Sequence, residues 1–226
     1  MNWEDESYLL SKRKFRENAT IINIFSSRKG KISGIVYGGN SRKIRNYLQI
    51  GNKLFVVYNS KSENKIGYFK TELIKAVSPI YFNDRERSSA IISLCNMLNI
   101  LLPESQINGK IYQSFEKIIN SLNNENWIIL YILFEVKLIK DLGYDTNLTT
   151  FQNNCDESLD FKIINIDGYR YEVPTYLIFQ KIPNQLTNEL IKKSLFFLRS
   201  IFINKFFLPN NLIFPKSRII LESYFN

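Results

Sequence analysis

The chain has 226 residues, and its hydrophobic fraction of 45% predicts a packed core rather than global disorder. Two cysteines cannot form a disulfide framework, and the lack of histidine excludes Ser-His and Cys-His catalytic pairs and histidine-containing zinc sites. The net charge of +9 arises from residues 1–80, with fifteen basic and six acidic side chains, while residues 81–226 are neutral overall, which predicts a polyanion-binding surface on one domain.

Residues 1–77 have the pattern of short strands separated by glycines. Strands are predicted at residues 8–14, 20–26, 31–37, 53–59 and 67–74. Six of the nine glycines lie at or near the ends of these strands, and residues 41–48 can form a short helix. Three strands, a helix and two strands is the order of an OB-fold, a small barrel whose closure removes exposed strand edges. We therefore predict a five-stranded OB-fold barrel over residues 1–79.

After Pro79 the spacing of apolar residues becomes helical. Helices are predicted at residues 84–102, 109–122, 126–142, 187–207 and 217–224. Residues 159–173 alternate around Asp167-Gly168, a strong signal for a two-residue hairpin turn. The longest apolar run, Trp127–Val136, has ten residues and predicts a buried helix, because a membrane span needs about 20. The predicted fold class is α+β: the barrel is followed by a mainly helical domain over residues 80–226 with a small β-hairpin insertion.

Basic residues of the predicted barrel form three clusters, which favours nucleic acid as the polyanion. Lysine and arginine bind phosphates without reading sequence, and aromatic side chains can stack on bases. The predicted nucleic-acid-binding residues are Arg13, Lys14, Arg28, Lys29, Lys31, Arg42, Lys43 and Arg45. Tyr37, Tyr47 and Phe15 are candidates for stacking, with packing in the core as the alternative for each. A solvated basic surface without a ligand is the alternative for the clusters.

The sequence contains no pattern that indicates catalysis. Arg28-Lys29-Gly30-Lys31 lacks the upstream glycine of a phosphate-binding Walker A loop. The acids of the basic domain are too few and too scattered to form a magnesium site. Cys95 has apolar neighbours in a predicted helix, which indicates a packed thiol rather than a reactive one. We therefore predict a protein that is not an enzyme and has no cofactor.

Several short motifs occur in the order and spacing of one bacterial family. The basic segment Gly38-Gly39-Asn40-Ser41-Arg42-Lys43 is followed by Leu48-Gln49-Ile50-Gly51. Further along the chain, Phe134-Glu135 precedes Leu142-Gly143-Tyr144, and Lys216-Ser217-Arg218 lies near the end. Together with an opening block at residues 3–18, these motifs make the chain resemble the RecO family of recombination mediators over nearly its whole length.

The resemblance implies an N-terminal OB-fold and a helical C-terminal domain. It also implies binding of single- and double-stranded DNA, and annealing of complementary strands without nucleotide hydrolysis. The partners that it implies in DNA repair are RecR, the single-strand-binding protein SSB and, indirectly, RecA. The low cysteine content and the acidic start of the chain predict a cytoplasmic location, which for this family would be at the nucleoid. The alternative is an RNA-binding OB-fold protein associated with the ribosome or RNA metabolism.

In the family, the helical domain docks the acidic, phenylalanine-ending tail of SSB. Such a peptide needs an apolar cleft with a cationic rim. The candidates for this rim are Lys137, Lys140, Arg199 and Lys205, and ordinary solvated charges are the alternative.

The chain departs from the family's pattern in three places. Ile50 replaces a usual proline, and Arg16 stands where a glycine is common. Some relatives carry a four-cysteine zinc module in the helical domain, of which Cys155 alone remains here. We predict that residues 151–174 are a degenerate, metal-free remnant of this module.

Overall fold

The computed structural model describes residues 2–62, 65–156, 159–183 and 185–225. The strands are β1 (Asn2–Phe15), β2 (Ala19–Ser26), β3 (Gly30–Tyr37), β4 (Lys53–Asn59), β5 (Gly67–Lys75), β6 (Phe161–Ile166) and β7 (Tyr169–Pro174). The helices are α1 (Arg42–Tyr47), α2 (Arg85–Leu101), α3 (Gly109–Ser121), α4 (Trp127–Asp141), α5 (Thr175–Phe179), α6 (Asn188–Phe202) and α7 (Lys216–Ser223). The chain packs into two compact units: unit 1 comprises Met1–Ile119 and Pro215–Arg218, and unit 2 comprises Asn120–Phe214 and Ile219–Asn226.

The first five strands form a closed barrel in the order β1-β2-β3-β5-β4, which confirms the predicted barrel. All of its strand pairs are antiparallel except β3 with β5. Strand β1 is long enough to pair with two neighbours, β4 through residues 2–8 and β2 through residues 7–15. The pairing with β2 shifts register between Leu9 and Ser11, as it does at a β-bulge. The predicted first strand was therefore too short. Three successive acidic residues, Glu4–Glu6, interrupt the pattern of β-branched and aromatic residues that was used to recognise strands.

The barrel interior is apolar, as the alternation of the strands predicts. Its core consists of Leu9, Ile22, Ile24, Val36, Leu48, Leu54, Val56 and Phe69. Because successive side chains of a strand point to opposite faces, Ile21, Asn23 and Phe25 of β2 lie on the outer face. The outer face of the barrel therefore carries the apolar side chains of Ile21 and Phe25, which are buried by contacts outside the barrel interior.

Helix α3 covers part of this outer face. The ring of Phe115 meets that of Tyr8 edge-on at 5.1 Å, and Tyr112 meets Phe25 at 5.3 Å. Glu116 accepts hydrogen bonds from Lys53 Nζ at 2.9 Å and from the Tyr8 hydroxyl at 3.2 Å. Unit 1 consequently extends well beyond the barrel, to Ile119. The domain boundary at residue 79 remains a prediction from sequence.

The loop between α2 and α3 lies along the first half of β3. β3 pairs with β5 at Gly34 and Ile35, which leaves the edge of residues 30–33 without a β5 partner. Glu104 forms an isolated bridge with Lys31, and the Ser105 amide donates to the Lys31 carbonyl at 2.8 Å. Ser33 Oγ donates to the Glu104 carboxylate at 2.5 Å. The loop therefore occupies an edge that would otherwise be open for pairing.

Unit 2 contains the helices α4 and α6 and the β6–β7 hairpin. α4 is buried along most of its length, which confirms the prediction for the longest apolar run. Its buried Glu135 accepts a hydrogen bond from Tyr131 at 2.9 Å. Asp167 and Gly168 both have positive φ, 51° and 84°, as the predicted two-residue turn requires. In the described part of the chain, no helix is long and apolar enough to cross a membrane.

The C-terminal helices differ from the prediction in two details. The segment predicted as one helix over residues 187–207 ends as an α-helix at Phe202 and continues as a π-helical turn, Ile203–Phe207. The short helix α5 directly follows the hairpin and was not predicted, because five residues are too few to show a helical period.

Candidate nucleic-acid interface

Helix α1 presents three exposed cations at one end of the barrel. The side chain of Ser41 caps the helix by accepting a hydrogen bond from the Ile44 amide. The preceding loop is fixed by Asn40, which donates to the Glu17 carbonyl at 2.9 Å and accepts from the Thr20 hydroxyl at 3.1 Å. The exposed side chains are those of Arg42, Lys43 and Arg45.

Lys12 holds the other end of α1. Its Nζ donates to the Leu48 carbonyl at 2.6 Å and to Gln49 Oε1 at 3.3 Å. Burial lowers the pKa of Lys12, and the nearby charge of Arg45 lowers it further. Lys14 is exposed and lies on the same face of β1 as Lys12. The predicted residues Lys14, Arg42, Lys43 and Arg45 thus fall on the α1 side of the barrel.

A second group of cations lines a cleft of about 1170 Å³ in unit 1. Its cationic lining residues are Lys12, Arg13, Arg28, Lys29 and Lys65. Ser11, Asn23 and Ser33 add polar groups from three adjacent strands, and Glu104 adds one carboxylate. The half-buried rings of Trp3 and Tyr58 stack at 5.0 Å and line the same cleft. Cations beside aromatic rings are the groups that bind the phosphates and bases of a single strand.

Sequence reasoning missed Trp3 and Lys65 as members of this cleft. Trp3 is an aromatic residue nine positions before the first basic cluster, and Lys65 is an isolated lysine twenty positions after the last one. The signal for Trp3 would have been the pairing of the first half of β1 with β4, which brings Trp3 opposite Tyr58.

Arg28 is bound to Asp5 on the exposed rim of the cleft. Its Nε and Nη2 lie 3.0 and 2.9 Å from one carboxylate oxygen of Asp5, and Nη2 also donates to the Glu4 carbonyl. Burial alone would raise the pKa of Asp5, but hydrogen bonds from Ser26 and Arg28 outweigh it, and the net shift is downward. Arg28 therefore contributes little uncompensated charge to the cleft.

Lys31 is the predicted contact residue that the structure places away from solvent. It is 8% exposed, and its Nζ donates to the Asn99 carbonyl at 2.8 Å. Burial lowers its pKa. The loop at residues 104–106 covers the strand edge on which it lies. We therefore leave Lys31 out of the surface proposed to contact DNA.

The three candidate stacking residues have different environments. Tyr37 is 63% exposed. Tyr47 packs against the barrel core, and its hydroxyl donates to the Thr71 carbonyl at 2.7 Å. Phe15 is half-buried against the outer-face residues Ala19, Ile21 and Ile35. Tyr37 is the one of the three with a ring largely open to solvent.

Models of two protein domains match the chain, and between them they cover most of it. The model described as Recombination protein O N terminal matches residues 1–77, and Recombination protein O C terminal matches residues 83–160. The chain belongs to the RecO family. The first match covers the barrel, so the cations of α1 and of the cleft lie in the N-terminal RecO domain.

Individual relatives agree with this assignment. A DNA repair protein RecO from Roseobacter denitrificans is 33% identical over 145 residues, which are 64% of this chain and 60% of the relative. The RecO protein of Ehrlichia chaffeensis is 32% identical over 71% of this chain and 66% of its own length. That of a Wolbachia strain from Drosophila simulans is 27% identical over 99% of this chain and all of the relative. The match to the Roseobacter protein thus spans about three fifths of its length.

The four cations predicted to hold an SSB tail are all ion-paired in unit 2. Lys140 lies 2.9 Å from Asp145, Lys205 lies 2.6 Å from Asp167, and Lys137 and Arg199 are 4.0 and 3.5 Å from Asp141 and Glu222. Arg199 also lies over the ring of Phe196, with its guanidinium carbon 4.9 Å from the centroid, and Phe196 is 53% exposed. A cation beside exposed apolar surface is therefore present at Arg199.

The predicted remnant of a zinc module contains the β6–β7 hairpin and Cys155. The Cys155 thiol donates to the Asp156 carbonyl at 3.8 Å. Within the described ranges, no three acidic or cysteine side chains group in a way that could hold a metal ion. The absence of zinc stays a prediction, to be tested by elemental analysis.

Arg16, the departure from a common glycine, has a left-handed backbone conformation with φ of 54°. Glycine adopts this conformation without strain, whereas other residues do so at an energetic cost. The conformation explains why a glycine suits this turn. Arg16 also lies over the Phe15 ring at 5.2 Å, an attraction that offsets part of the cost.

Proposed function

We propose that this RecO-family protein is a DNA-binding recombination mediator in DNA repair, and that it acts by binding rather than by catalysis. The observation that carries the proposal is the group of exposed cations, Arg42, Lys43 and Arg45, that α1 presents at one end of a closed barrel. Three cations on two turns of helix create a local positive potential without an acidic residue in the first turn. Phosphate is the ligand that fits them.

The cleft supplies a second place for a strand. Arg13, Lys29 and Lys65 line it together with polar groups from β1, β2 and β3. The α1 cations and the cleft, which share Lys12, can hold two DNA strands, or two parts of one strand, while base pairing selects the register. This arrangement supports annealing of complementary strands, a reaction that needs no nucleotide hydrolysis and no residue that reads sequence.

The proposed partners are RecR, SSB and, through them, RecA, which replaces SSB on single-stranded DNA. For the acidic, phenylalanine-ending tail of SSB, we favour the surface at Arg199 in unit 2. There the guanidinium could meet the terminal carboxylate beside exposed Phe196. The pair with Glu222 at 3.5 Å would have to loosen, so binding would compete with an internal contact.

Charge reversal on α1 tests the DNA-binding part of the proposal. The triple variant R42E/K43E/R45E should lose affinity for all DNA sequences alike. Its affinity should also depend less steeply on salt, by about 0.7 in the log–log slope for each phosphate of a single strand that the variant no longer neutralises. The control with the same change in net charge is K110E/K117E/K192E, at three exposed lysines outside the barrel. If both variants lost the same DNA affinity, the loss would be explained by net charge alone, and the α1 site would be rejected.

Annealing of complementary oligonucleotides coated with SSB, in the absence of ATP, tests the mediator role. The protein should speed annealing, and the α1 triple variant should lose most of this activity. Competition with RNA of the same sequence separates the proposal from that of an RNA-binding protein. Tight binding to RNA with no stimulation of annealing would contradict the mediator role.

A further inference from the structure

Two tyrosines lie side by side on the outer face of the barrel, where β3 meets β5. Tyr37 is 63% exposed and Tyr68 is 38% exposed, and their ring centroids are 6.1 Å apart. Their chain neighbours Val36 and Phe69 point into the core, so alternation along each strand directs both tyrosines outward. The ring planes are inclined at 55°, so the two rings do not form one flat surface, but each keeps part of its surface in water where a flat ligand can stack.

The register of the strands places this pair at the edge of an apolar strip. Two rows of side chains cross the outer face, Phe15–Ala19–Tyr37 and Arg13–Ile21–Ile35–Tyr68. Ala19, Ile21 and Ile35 form a small buried cluster against which Phe15 packs. The middle of the strip is thus already covered, and the tyrosines at its edge are the part that remains open.

Cations lie at both ends of the second row of side chains, Arg13 across the strip and Lys70 beside Tyr68. Arg13 is exposed at the other end of the second row. Lys70 is exposed, and alternation places it on the same face of β5 as Tyr68. Tyr37 is followed directly by the loop that leads to α1. Asn40 of this loop donates a hydrogen bond to the Glu17 carbonyl in the β1–β2 turn. A ligand that joins flat rings to phosphates would match this combination.

We propose that Tyr37 and Tyr68 form a stacking site for unpaired nucleobases, so that the barrel binds single-stranded DNA through rings as well as through charge. The inference rests on the proposed function and deepens it. Bases of a duplex are stacked on each other and paired, so their faces are not available to the tyrosines. Every base has a π face, so the site would tolerate any sequence.

The site has a consequence for annealing. A base that stacks on the tyrosines has to leave them when it pairs with its complement. The duplex product then keeps its phosphates on the cations but no longer has bases on the rings. The protein would therefore release the product more readily than it releases either strand.

The test compares the double variant Y37A/Y68A with the wild type in binding to a single-stranded oligonucleotide and to the matching duplex, at several salt concentrations. Loss of stacking on one base should lower the single-strand affinity about 5- to 100-fold. The salt slope should stay unchanged, since every cation remains in place, and the duplex affinity should stay within about twofold of the wild type. Y37F/Y68F, which keeps the rings, should bind single strands like the wild type.

The matched control is F82A/Y169A, which removes two exposed rings elsewhere in the chain. It should bind both ligands like the wild type. Unfolding by urea establishes that each variant is folded; Y37A alone serves if the double variant is not, because Tyr37 is the more exposed ring.

Different results would overturn different statements. Unchanged single-strand affinity in Y37A/Y68A, with wild-type protein that binds DNA, rejects the stacking site, leaves the proposed function intact and points to a protein partner for the rings. Equal losses for single strand and duplex also reject it. If the wild type binds neither ligand, the proposed function fails and the stacking site fails with it.

Discussion

Arg28 and Asp5 form an ion pair in which two nitrogens of the guanidinium, Nε and Nη2, lie 3.0 and 2.9 Å from a single carboxylate oxygen. The carboxylate is buried and also accepts a hydrogen bond from the Ser26 hydroxyl, whereas the arginine side chain is 68% exposed. The pair joins the start of β1 to the β2–β3 turn. Arg28, which adds to the positive charge of the sequence, thus acts mainly to hold these two segments of the barrel together.

The Asp5 carboxylate should make stability depend on pH in the acid range. Its pKa is lowered in the folded state, so its contribution is complete above the unfolded value, about 3.9, and is lost as the pH falls through the folded value. Asp5→Asn should cost about 1–3 kcal/mol at pH 7. Urea unfolding should show that the difference from wild type shrinks below about pH 4. Glu4→Gln, at the exposed neighbour, is the control, and a difference that is the same at pH 7 and pH 2.5 would contradict the argument.

The same ion pair should contribute little to DNA binding. Replacing both partners, as in the variant D5N/R28Q, removes no net charge, so its salt slope for single-stranded DNA should match that of the wild type. Arg42→Gln removes an exposed cation of α1 and should lower the slope by about 0.7. Binding titrations at four or five salt concentrations measure both slopes. If the slope fell as much in the double variant as in Arg42→Gln, Arg28 would have to leave Asp5 and bind phosphate in the complex.

Gly30 should not tolerate a side chain. Its φ is +72°, and a Cβ atom there would lie 1.9 Å from the carbonyl oxygen of Gln106. Gly30→Ala should therefore lower the free energy of unfolding by more than about 2 kcal/mol, or displace the loop at residues 104–106 from β3. Gly109→Ala is the control: a Cβ at Gly109 meets nothing within 4 Å, and alanine favours helix, so that variant should be neutral or slightly stabilised. Equal stability of the two variants would show that the loop does not constrain Gly30.

Glycine should have opposite effects at two exposed glutamines. Gln180 follows α5 with φ of 55°, where glycine avoids the strain of a side chain in the left-handed region. Gln113 lies within α3, where glycine is a poor helix former. Gln180→Gly should raise the free energy of unfolding by up to about 1 kcal/mol, and Gln113→Gly should lower it by about the same amount. Thermal or urea unfolding measures both changes in stability. A loss of stability in both variants would mean that contacts of the Gln180 side chain outweigh its backbone strain.

Much of the barrel could be predicted because its signals are local. Glycines and short runs of β-branched residues mark strand ends, and the predicted bounds of β4, Lys53–Asn59, agree with the structure. The acidic first half of β1 could not be predicted, because it is defined by pairing with β4, about 50 residues away. The predicted hairpin turn at Asp167-Gly168 was also right, since its chemistry lies in two adjacent residues.

The basic site was harder to predict, because residues distant in sequence determine whether a lysine or arginine is exposed or bound within the protein. Lys31 is bound to the carbonyl of Asn99, 68 positions further on, and no local pattern indicates that contact. By contrast, Arg42, Lys43 and Arg45 are exposed as expected, because a short helix with no buried residue has to present them to solvent.

The packing of α3 on the barrel bears on how this domain can be inherited. Tyr8 and Phe25 face outward from the barrel yet are almost completely buried, in contact with Tyr112 and Phe115 of α3. A gene fragment that ended just after β5 would encode a barrel with two bare aromatic rings and with Lys53 deprived of Glu116. Recombination between genes at that point would yield a less stable protein with exposed apolar surface that promotes aggregation. Lineages that exchange this barrel should therefore carry α2 and α3 along with it.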